Sequence, residues 1–533
     1  MPFATPSSRR TWVAVGALVL ATLGATVPVA RADIFEWEYV DSADPSLRKR
    51  ESGTLVPDGA GRSAAPGANF RHHDLTKAHL IDRDLTGALF FNTTLTDADL
   101  SRANLTQTNF ERANLTDADF TGAEVRGAGF VDVTSRGFTA AQLYATASYQ
   151  AHDLTGIVLS RNNLNGWDFV GQNLTNAYFH RATLIGADLT DAEVRGANLD
   201  DITRFGFTAS QLYATASYQA RDLTRIYFGY NDLSGWNFSG QNLANASFSD
   251  TKLIGADFSH ANLTNVNFLY SVSNLTGTDL TGADMRGARP VPIPADAITD
   301  NVISYGGRIF GGLNLQAGEK LMVRDYDGRS STSPSPILIP IRVADHFTMA
   351  NGGVLRMVFE ADAWDSTISF DAGIPVDLGG VLELAFAADV DLVSQIGRTF
   401  QVFDWDRVAP VGQFGEVQSD FVWDLSQLYT SGHVTLVALT PVMAGDYNGD
   451  GVVDGQDYEH WHGQYGITAP PGSGADGNGD GVVNAADYTV WRDALAAASA
   501  SSAVVPEPAS LALFALTGVA FLGVRDGRAF ARV

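Results

Sequence analysis

The 533-residue chain contains no cysteine. That excludes disulfides, thiol nucleophiles and cysteine-bound metals, and it leaves the compartment open. Positive charge is also scarce: 35 Lys and Arg stand against 60 Asp and Glu, a net charge of −25. With no basic stripe to offset this, nucleic acid is excluded as a partner class. Long apolar runs occur only near the two ends. Apolar residues nonetheless make up 45% of the chain, enough to fill the several domains that its length suggests.

What the sequence has in abundance is a five-residue period between Asp74 and Ala288. The run from Ala113 through Leu115 and Phe120 to Ala123 shows it. A Leu or Phe recurs at the centre, a small residue lies two positions before it, and Asp or Asn lies between them. Side chains two apart on extended backbone point the same way, so the small residue and the Leu face inward together. A helix requires apolar recurrence near 3.6 residues and a flat strand requires alternation. Five fits neither, but it fits a coil turning once per unit, which is a solenoid. Central residues run from Leu75 to Phe130, from Leu154 to Leu199 and from Leu223 to Phe268, then finish at Leu275, Leu280 and Met285.

This pattern resembles the pentapeptide-repeat family, written A(D/N)LXX. The resemblance implies a right-handed quadrilateral β-helix with four pentads per coil and stacked columns of Leu and Phe. The twelve, ten, ten and three pentads then make nearly nine coils, roughly 40 Å long at about 4.7–4.9 Å per strand spacing. Two interruptions, near 137–150 and 206–219, are almost identical, so a longer unit containing coil and insert is itself duplicated. Each opens with Thr-x-x-Gln (Thr139 to Gln142, Thr208 to Gln211), a capping pattern, and reads as a short helix that leaves the coil and returns.

The ends speak to location. Arg9-Arg10, an apolar run from Thr11 to about Ala25, and the small residues Ala30 and Ala32 read as a signal peptide over 1–32, cut before Asp33. Residues 33–70, with Phe35, Trp37 and Tyr39 alternating along one strand, read as a cap for the solenoid end. At the other end, over 499–533, Pro506-Glu507-Pro508 leads into an apolar stretch from Leu511 to Val524 and then to Arg525, Arg528 and Arg532. This resembles a PEP-CTERM sorting signal, which implies at least transient contact with the membrane. The stretch is short for a durable span, roughly 21 Å against about 30 Å of hydrocarbon.

Residues 290–442 carry short β-rich runs with Gly and Asp turns, and read as a β-sandwich or a second, irregular β-stack. His346 beside Asp345, lone His433, and Asp362, Asp365, Asp389 and Asp391 are the residues there with catalytic potential. No nucleophile-elbow, zinc-helix or phosphate-loop spacing accompanies them, and they read as solvated turn groups. The Arg71-His72-His73-Asp74 run with His79 reads as an end cap in preference to a metal site.

The sharpest chemistry lies in 443–498. Asp446, Asn448, Asp450, Val452, Asp454 and Asp457 occupy positions 1, 3, 5, 7, 9 and 12 of a loop. Further on, Asp476, Asn478, Asp480, Val482, Asn484 and Asp487 repeat the same spacing. Calcium takes six to eight oxygens, with position 7 supplying a main-chain carbonyl and Gly at position 6 making the sharp turn. Two bound Ca²⁺ ions are expected. With Asp at position 12 and a paired loop, the module resembles a type I dockerin. That implies a small EF-hand-like helical domain docking to a cohesin. Gly455-Gln456 and Ala485-Ala486 stand where dockerins often carry Ser and Thr, so the partner is left open between cohesin, another protein and a surface polymer.

The expected fold is therefore mainly β: a quadrilateral solenoid over 71–289, a β-sandwich-like domain and a dockerin-like module. The order of these parts resembles planctomycete surface proteins. The expected role is that of an exported, non-enzymatic scaffold of the cell envelope. A hydrolase acting on polysaccharide, localised by the module, is the alternative.

Overall fold

In a computed structural model, the chain is described at residues 33–43, 48–270, 275–289, 292–309, 311–326, 338–360, 364–387, 390–439, 444–448, 452–468, 474–478 and 481–501. Ala30, Ala32, Pro506, Glu507 and Pro508 lie outside these residues, as do Asp362, Asp389, Asp450 and Asp480.

Many of the described pentads of the solenoid are made in the way that Asp74 to Ala78 shows. Leu75 is fully buried, and the carboxylate of Asp74 before it accepts the Thr76 N–H at 3.0 Å. That is an Asx turn, and it explains why Asp or Asn precedes the apolar residue. Lys77 then takes a φ of 59°, and the Ala78 N–H donates to the Leu75 carbonyl at 3.0 Å. A positive φ at the third residue and a bond from the fourth to the first define a type II turn, so the coil turns a corner at each pentad. Asp74 bridges Thr94 and Thr94 bridges Asn114, an advance of four pentads per coil. Inside, Phe70, Phe90, Phe110 and Phe130 form one column, with rings 4.9–5.1 Å apart. Where Thr replaces the inward Ala, its hydroxyl donates to a carbonyl one coil back, as Thr93 does to Phe70 at 2.6 Å and Thr108 to Leu85 at 2.8 Å.

The N-terminal end of the solenoid is covered. Strand β1 (Phe35–Tyr39) pairs antiparallel with β2 (Lys49–Leu55). The Trp37 N–H donates to Lys77 and the His79 N–H to Phe35, which satisfies backbone the first coil would otherwise expose. Ile34 and Val56 join the solenoid core.

The two inserts differ from the single outlying helix expected. Each holds two short helices, α1 (Ala140–Tyr144) and α2 (Ala147–Gln150) in the first, α3 (Ala209–Tyr213) and α4 (Ala216–Gln219) in the second. Nor do they leave the coil. Phe138 and Leu143 are buried in its core, and the Phe138 ring stacks 4.5 Å from Phe130. The capping boxes at Thr139 and Thr208 are present. Behind each insert a buried Asn holds the widened coil together. Asn162 accepts from the Val133 and Thr134 N–H groups and donates to the Phe130 and Leu159 carbonyls. Asn231 makes the same four bonds at the second insert.

Of the two readings for the following region, an irregular β-stack forms and a β-sandwich does not. Its strands are β3 (Arg308–Ile309), β4 (Leu313–Leu315), β5 (Lys320–Arg324), β6 (Ile341–Val343), β7 (Phe347–Met349), β8 (Val354–Phe359), β9 (Ile368–Phe370), β10 (Val376–Leu378) and β11 (Val381–Phe386), then β12 (Thr399–Gln401), β13 (Phe403–Asp404), β14 (Val411–Gly412), β15 (Glu416–Gln418), β16 (Val422–Asp424) and β17 (His433–Ala438). They pair in parallel as three sheets, β13-β9-β6-β3, β14-β10-β7-β4 and β15-β11-β8-β5, so each successive triplet is one coil of a three-faced stack. An antiparallel sheet, β12-β17-β16, lies over its far end, with Phe400 and Val434 in the core. The junction with the solenoid holds a buried polar cluster. Arg286, fully buried, pairs with Asp284 at 2.6 Å and donates to Ser366 at 2.9 Å and to the Arg324 carbonyl at 3.0 Å. Pairing and full hydrogen bonding are what make a buried guanidinium tolerable.

Candidate metal centre

The two calcium-type loops each lead into a helix, α5 (Gly455–Gln464) and α6 (Ala485–Ser501). Asp454, at position 9 of the first loop, is the N-cap of α5 and accepts the Gln456 N–H at 2.7 Å. Asn484 does the same for Ala486 at 2.7 Å. A short oxygen-bearing side chain at this position thus starts the helix as well as lining the loop.

Each position-12 carboxylate gathers its loop. Asp457 accepts N–H bonds from Tyr447 at 2.8 Å, Asn448 at 3.1 Å and Asp454 at 2.8 Å. Asp487 accepts from Asn478 at 3.0 Å and Asn484 at 2.7 Å. Asp476 accepts from Gly481 at 2.8 Å. Asp457, Asp487 and Asp476 are all fully buried. Among the described residues neither Asp457 nor Asp487 is paired with Lys or Arg. Buried carboxylates facing only neutral donors are what a cation stabilises most.

Carboxylate, amide and main-chain oxygens at alternate positions are the hard donor set calcium prefers, so the residues fit that ion. Asp446, Asn448, Asp454, Asp457 and the Val452 carbonyl would hold one ion, and Asp476, Asn478, Asn484, Asp487 and the Val482 carbonyl a second. Among the described residues no three His, Asp or Glu groups converge on a metal-binding geometry. The further acidic donor of each loop, Asp450 or Asp480, lies outside them.

The two units lock together reciprocally. Trp461 Nε1 donates to the Asn484 carbonyl of the second loop at 3.0 Å, and Trp491 Nε1 donates to the Asp454 carbonyl of the first at 2.8 Å. Tyr458, Trp461, Tyr488 and Trp491 pack at 5.3–5.6 Å between the helices. This pseudo-twofold is broken at position 2. Tyr447 fills the space over Gly477, where an added Cβ would lie 2.3 Å from the Tyr447 hydroxyl. That hydroxyl donates to the Asp487 carbonyl at 2.5 Å, and burial, with the Asp487 charge adding to it, pushes its pKa up to about 12. The reciprocal tryptophans were not singled out in the sequence. Their signal was an aromatic pair, Tyr-x-x-Trp, at the same offset after each loop.

The other residues with chemical potential remain apart. His346 packs near Gly312, and His433 Nδ1 lies 3.0 Å from the Ser431 hydroxyl. Asp365 presents its N–H, not its carboxylate, to Asp325 at 3.0 Å. At the solenoid start His73 is 3.7 Å from Asp58, His72 is 3.3 Å from Asn92, and burial lowers the pKa of His79. Among the described residues no helix is long and apolar enough to cross a membrane.

A family model for pentapeptide repeats matches eight copies, over residues 93–130, 153–191, 163–201 and 232–268. No curated protein matches the chain. Similar solved structures include a pentapeptide repeat protein of the Arabidopsis thaliana thylakoid lumen, 22% identical, covering 24% of this chain and 68% of that one, with a TM-score of 0.10. HetL, a pentapeptide repeat protein involved in heterocyst differentiation regulation in the cyanobacterium Nostoc sp. strain PCC 7120, is 20% identical, with coverages of 45% and 89% and a TM-score of 0.12. Full-length QnrB1, a plasmid-mediated fluoroquinolone resistance protein, is 14% identical, with coverages of 44% and 94% and a TM-score of 0.15. The matched repeats, built coil upon coil at four pentads each, make the solenoid of this chain a pentapeptide-repeat fold.

Proposed function

We propose that the protein is an exported, non-enzymatic scaffold of the cell envelope that docks to a protein or surface-polymer partner through its calcium module. One observation carries the reading. Two loop–helix units exchange tryptophan hydrogen bonds across a small core, while their position-12 carboxylates lie buried with no cationic side chain beside them among the described residues. Two Ca²⁺ ions would neutralise those carboxylates, and the paired helices would then present one stable surface. The solenoid serves as a stiff spacer, since each coil is bonded to the next along its faces. Export rests on the 1–32 segment with Ala30 and Ala32. Retention or processing at the membrane rests on Pro506, Glu507 and Pro508.

The test is a pull-down from envelope and secreted extracts with the mature chain as bait, in calcium or in EDTA. An Asp450→Ala/Asp480→Ala variant runs alongside. Capture that needs both calcium and wild-type loops supports docking. Capture that ignores both assigns the loops to folding alone and moves the contact surface elsewhere.

A further inference from the structure

A groove of about 750 Å³ lies between the solenoid and the three-faced stack. That volume is within the range of small-ligand sites. One wall is a face of the solenoid on which Arg195, Thr224, Ala244 and Thr264 occupy successive coils, linked through the Gly196, Arg225 and Asn245 N–H groups. At about 4.7–4.9 Å per coil, those four rungs extend about 15 Å. The other wall is the β5-β8-β11 sheet, which contributes Arg324, Arg356 and Phe386.

The groove is basic on an acidic protein. Arg195, Arg221, Arg225, Arg324 and Arg356 line it, against Asp222, Asp325 and Glu360. Three of the arginines are engaged: Arg195 with Asp222 at 3.4 Å, Arg324 with Glu360 at 2.6 Å and Arg356 with Glu383 at 3.4 Å. Arg221 and Arg225 have no carboxylate partner among the described residues. The first copy of the duplicated coil-and-insert unit places His152 and Gly156 at the corresponding positions, so both arginines belong to the second copy alone. In the same lining stand Asn245 and the Asn242 amide nitrogen, groups suited to hydroxyls, while Asn262 is buried and donates to Asn242 Oδ1 at 2.9 Å.

We infer that this groove binds a linear acidic polysaccharide laid along the coils, its carboxylates held by Arg221 and Arg225 and its hydroxyls by Asn242 and Asn245. The planar guanidinium matches a carboxylate with two parallel N–H bonds, which a neutral glycan does not offer. This site is separate from the calcium module and stands whether or not that module docks. It would give the scaffold a second attachment, to anionic surface glycan.

The experiment is affinity electrophoresis of the mature chain, with calcium, in gels containing carboxymethylcellulose, neutral hydroxyethylcellulose or duplex DNA. Retardation by carboxymethylcellulose alone, weakening with salt, is expected. The variant Arg221→His/Arg225→Gly borrows the residues of the first copy. His152 and Gly156 have φ of 56° and 71°, and Arg221 and Arg225 have φ of 59° and 60°, so the backbone accepts the exchange. The variant should bind about tenfold more weakly, the scale of two lost charge-assisted contacts, with an unchanged melting curve. Arg161→Asn, on a different coil and outside the groove, should bind as wild type. Equal retardation by hydroxyethylcellulose or by DNA, full binding by the double variant, or an equal loss in Arg161→Asn would each overturn the assignment.

Discussion

The solenoid and the loop–helix module are both built by repetition, yet their cores differ in kind. In the solenoid each four-pentad coil adds a layer of Leu, Phe and Ala to one continuous core running from Ile34 to Val302. In the module a loop–helix unit repeats once, and among the described residues its buried apolar cluster is Tyr447, Trp461, Ala475 and Val483, with Tyr458, Tyr488 and Trp491 packed against it. A domain of that size buries too little apolar surface to fold comfortably alone. The solenoid repeats a hydrophobic layer, and each layer is packed on the next. The module repeats a set of oxygen-bearing side chains, so on the proposed reading its stability would be lent by the ion those groups fit.

The largest expected effect follows directly. EDTA should unfold the module and leave the solenoid intact. Hydrogen exchange on the mature chain should show α5 and α6 losing protection while residues 75–268 keep theirs. Unchanged protection of both helices in EDTA would erase the distinction and leave the small aromatic core to explain the module by itself.

Next is a polar element inside the apolar solenoid. Asn231→Ala removes a side chain that satisfies two N–H groups and two carbonyls in a dry interior. At about 1–3 kcal/mol for each group left unpaired, the loss should be several kcal/mol, confined to the coils around the second insert. Asn162→Ala should behave alike around the first. A denaturant titration followed by exchange would check this, and near-neutral variants would mean that water takes the place of the amide.

These asparagines also show what was legible. The pentad period was visible because every coil uses the same four corners, and many of those corners carry an Asp or Asn that caps the turn. Asn162 and Asn231 occupy the inward position normally filled by Ala. A polar residue at an inward position, present at the matching place in both copies of the duplicated unit, was the signal, and it was overlooked among so many exposed asparagines. The three-faced stack was legible only as one of two readings, for the opposite reason. Arg308 lies opposite Arg342, Ile341 opposite Ile368 and Ile368 opposite Phe403, so successive coils consume different lengths of chain. Unequal turns erase the period, and alternating strands such as Leu313-Asn314-Leu315 then read equally well as sandwich strands. In the module the oxygen-bearing loop positions were plain, because the same spacing recurs in both loops. The tryptophan exchange between the two halves depends on tertiary pairing, which spacing does not encode.

A smaller effect tests the ring columns. Phe110 is fully buried between Phe90 and Phe130, with centroids 5.1 Å away on either side. Phe110→Ala should cost about 3–5 kcal/mol. In a solenoid, neighbouring coils bear the loss and distant ones do not. Exchange that rises uniformly from Leu75 to Phe268 would show one cooperative unit instead. In the module, Gly477→Ala should cost about 1–3 kcal/mol by pressing a methyl against the Tyr447 hydroxyl, and it should weaken calcium binding with it.

The smallest effect separates the two regions by alkali. Tyr149 and Tyr218 in the inserts have pKa values pushed up to about 12, chiefly by burial, as does Tyr447 in the module. A tyrosine whose folded value exceeds its unfolded one stabilises the fold fully below the ordinary value of 10.0 and loses that contribution as pH rises through about 12. Absorbance at alkaline pH should therefore show these three tyrosines ionising late, near pH 12. In EDTA the unfolded module returns Tyr447 to the ordinary range, while Tyr149 and Tyr218 stay late because their burial comes from coil packing. If all three move together, calcium supports the solenoid too. If none moves, the Tyr447 site is held by its own contacts with Gly477 and the Asp487 carbonyl, and the module is stable without its ion.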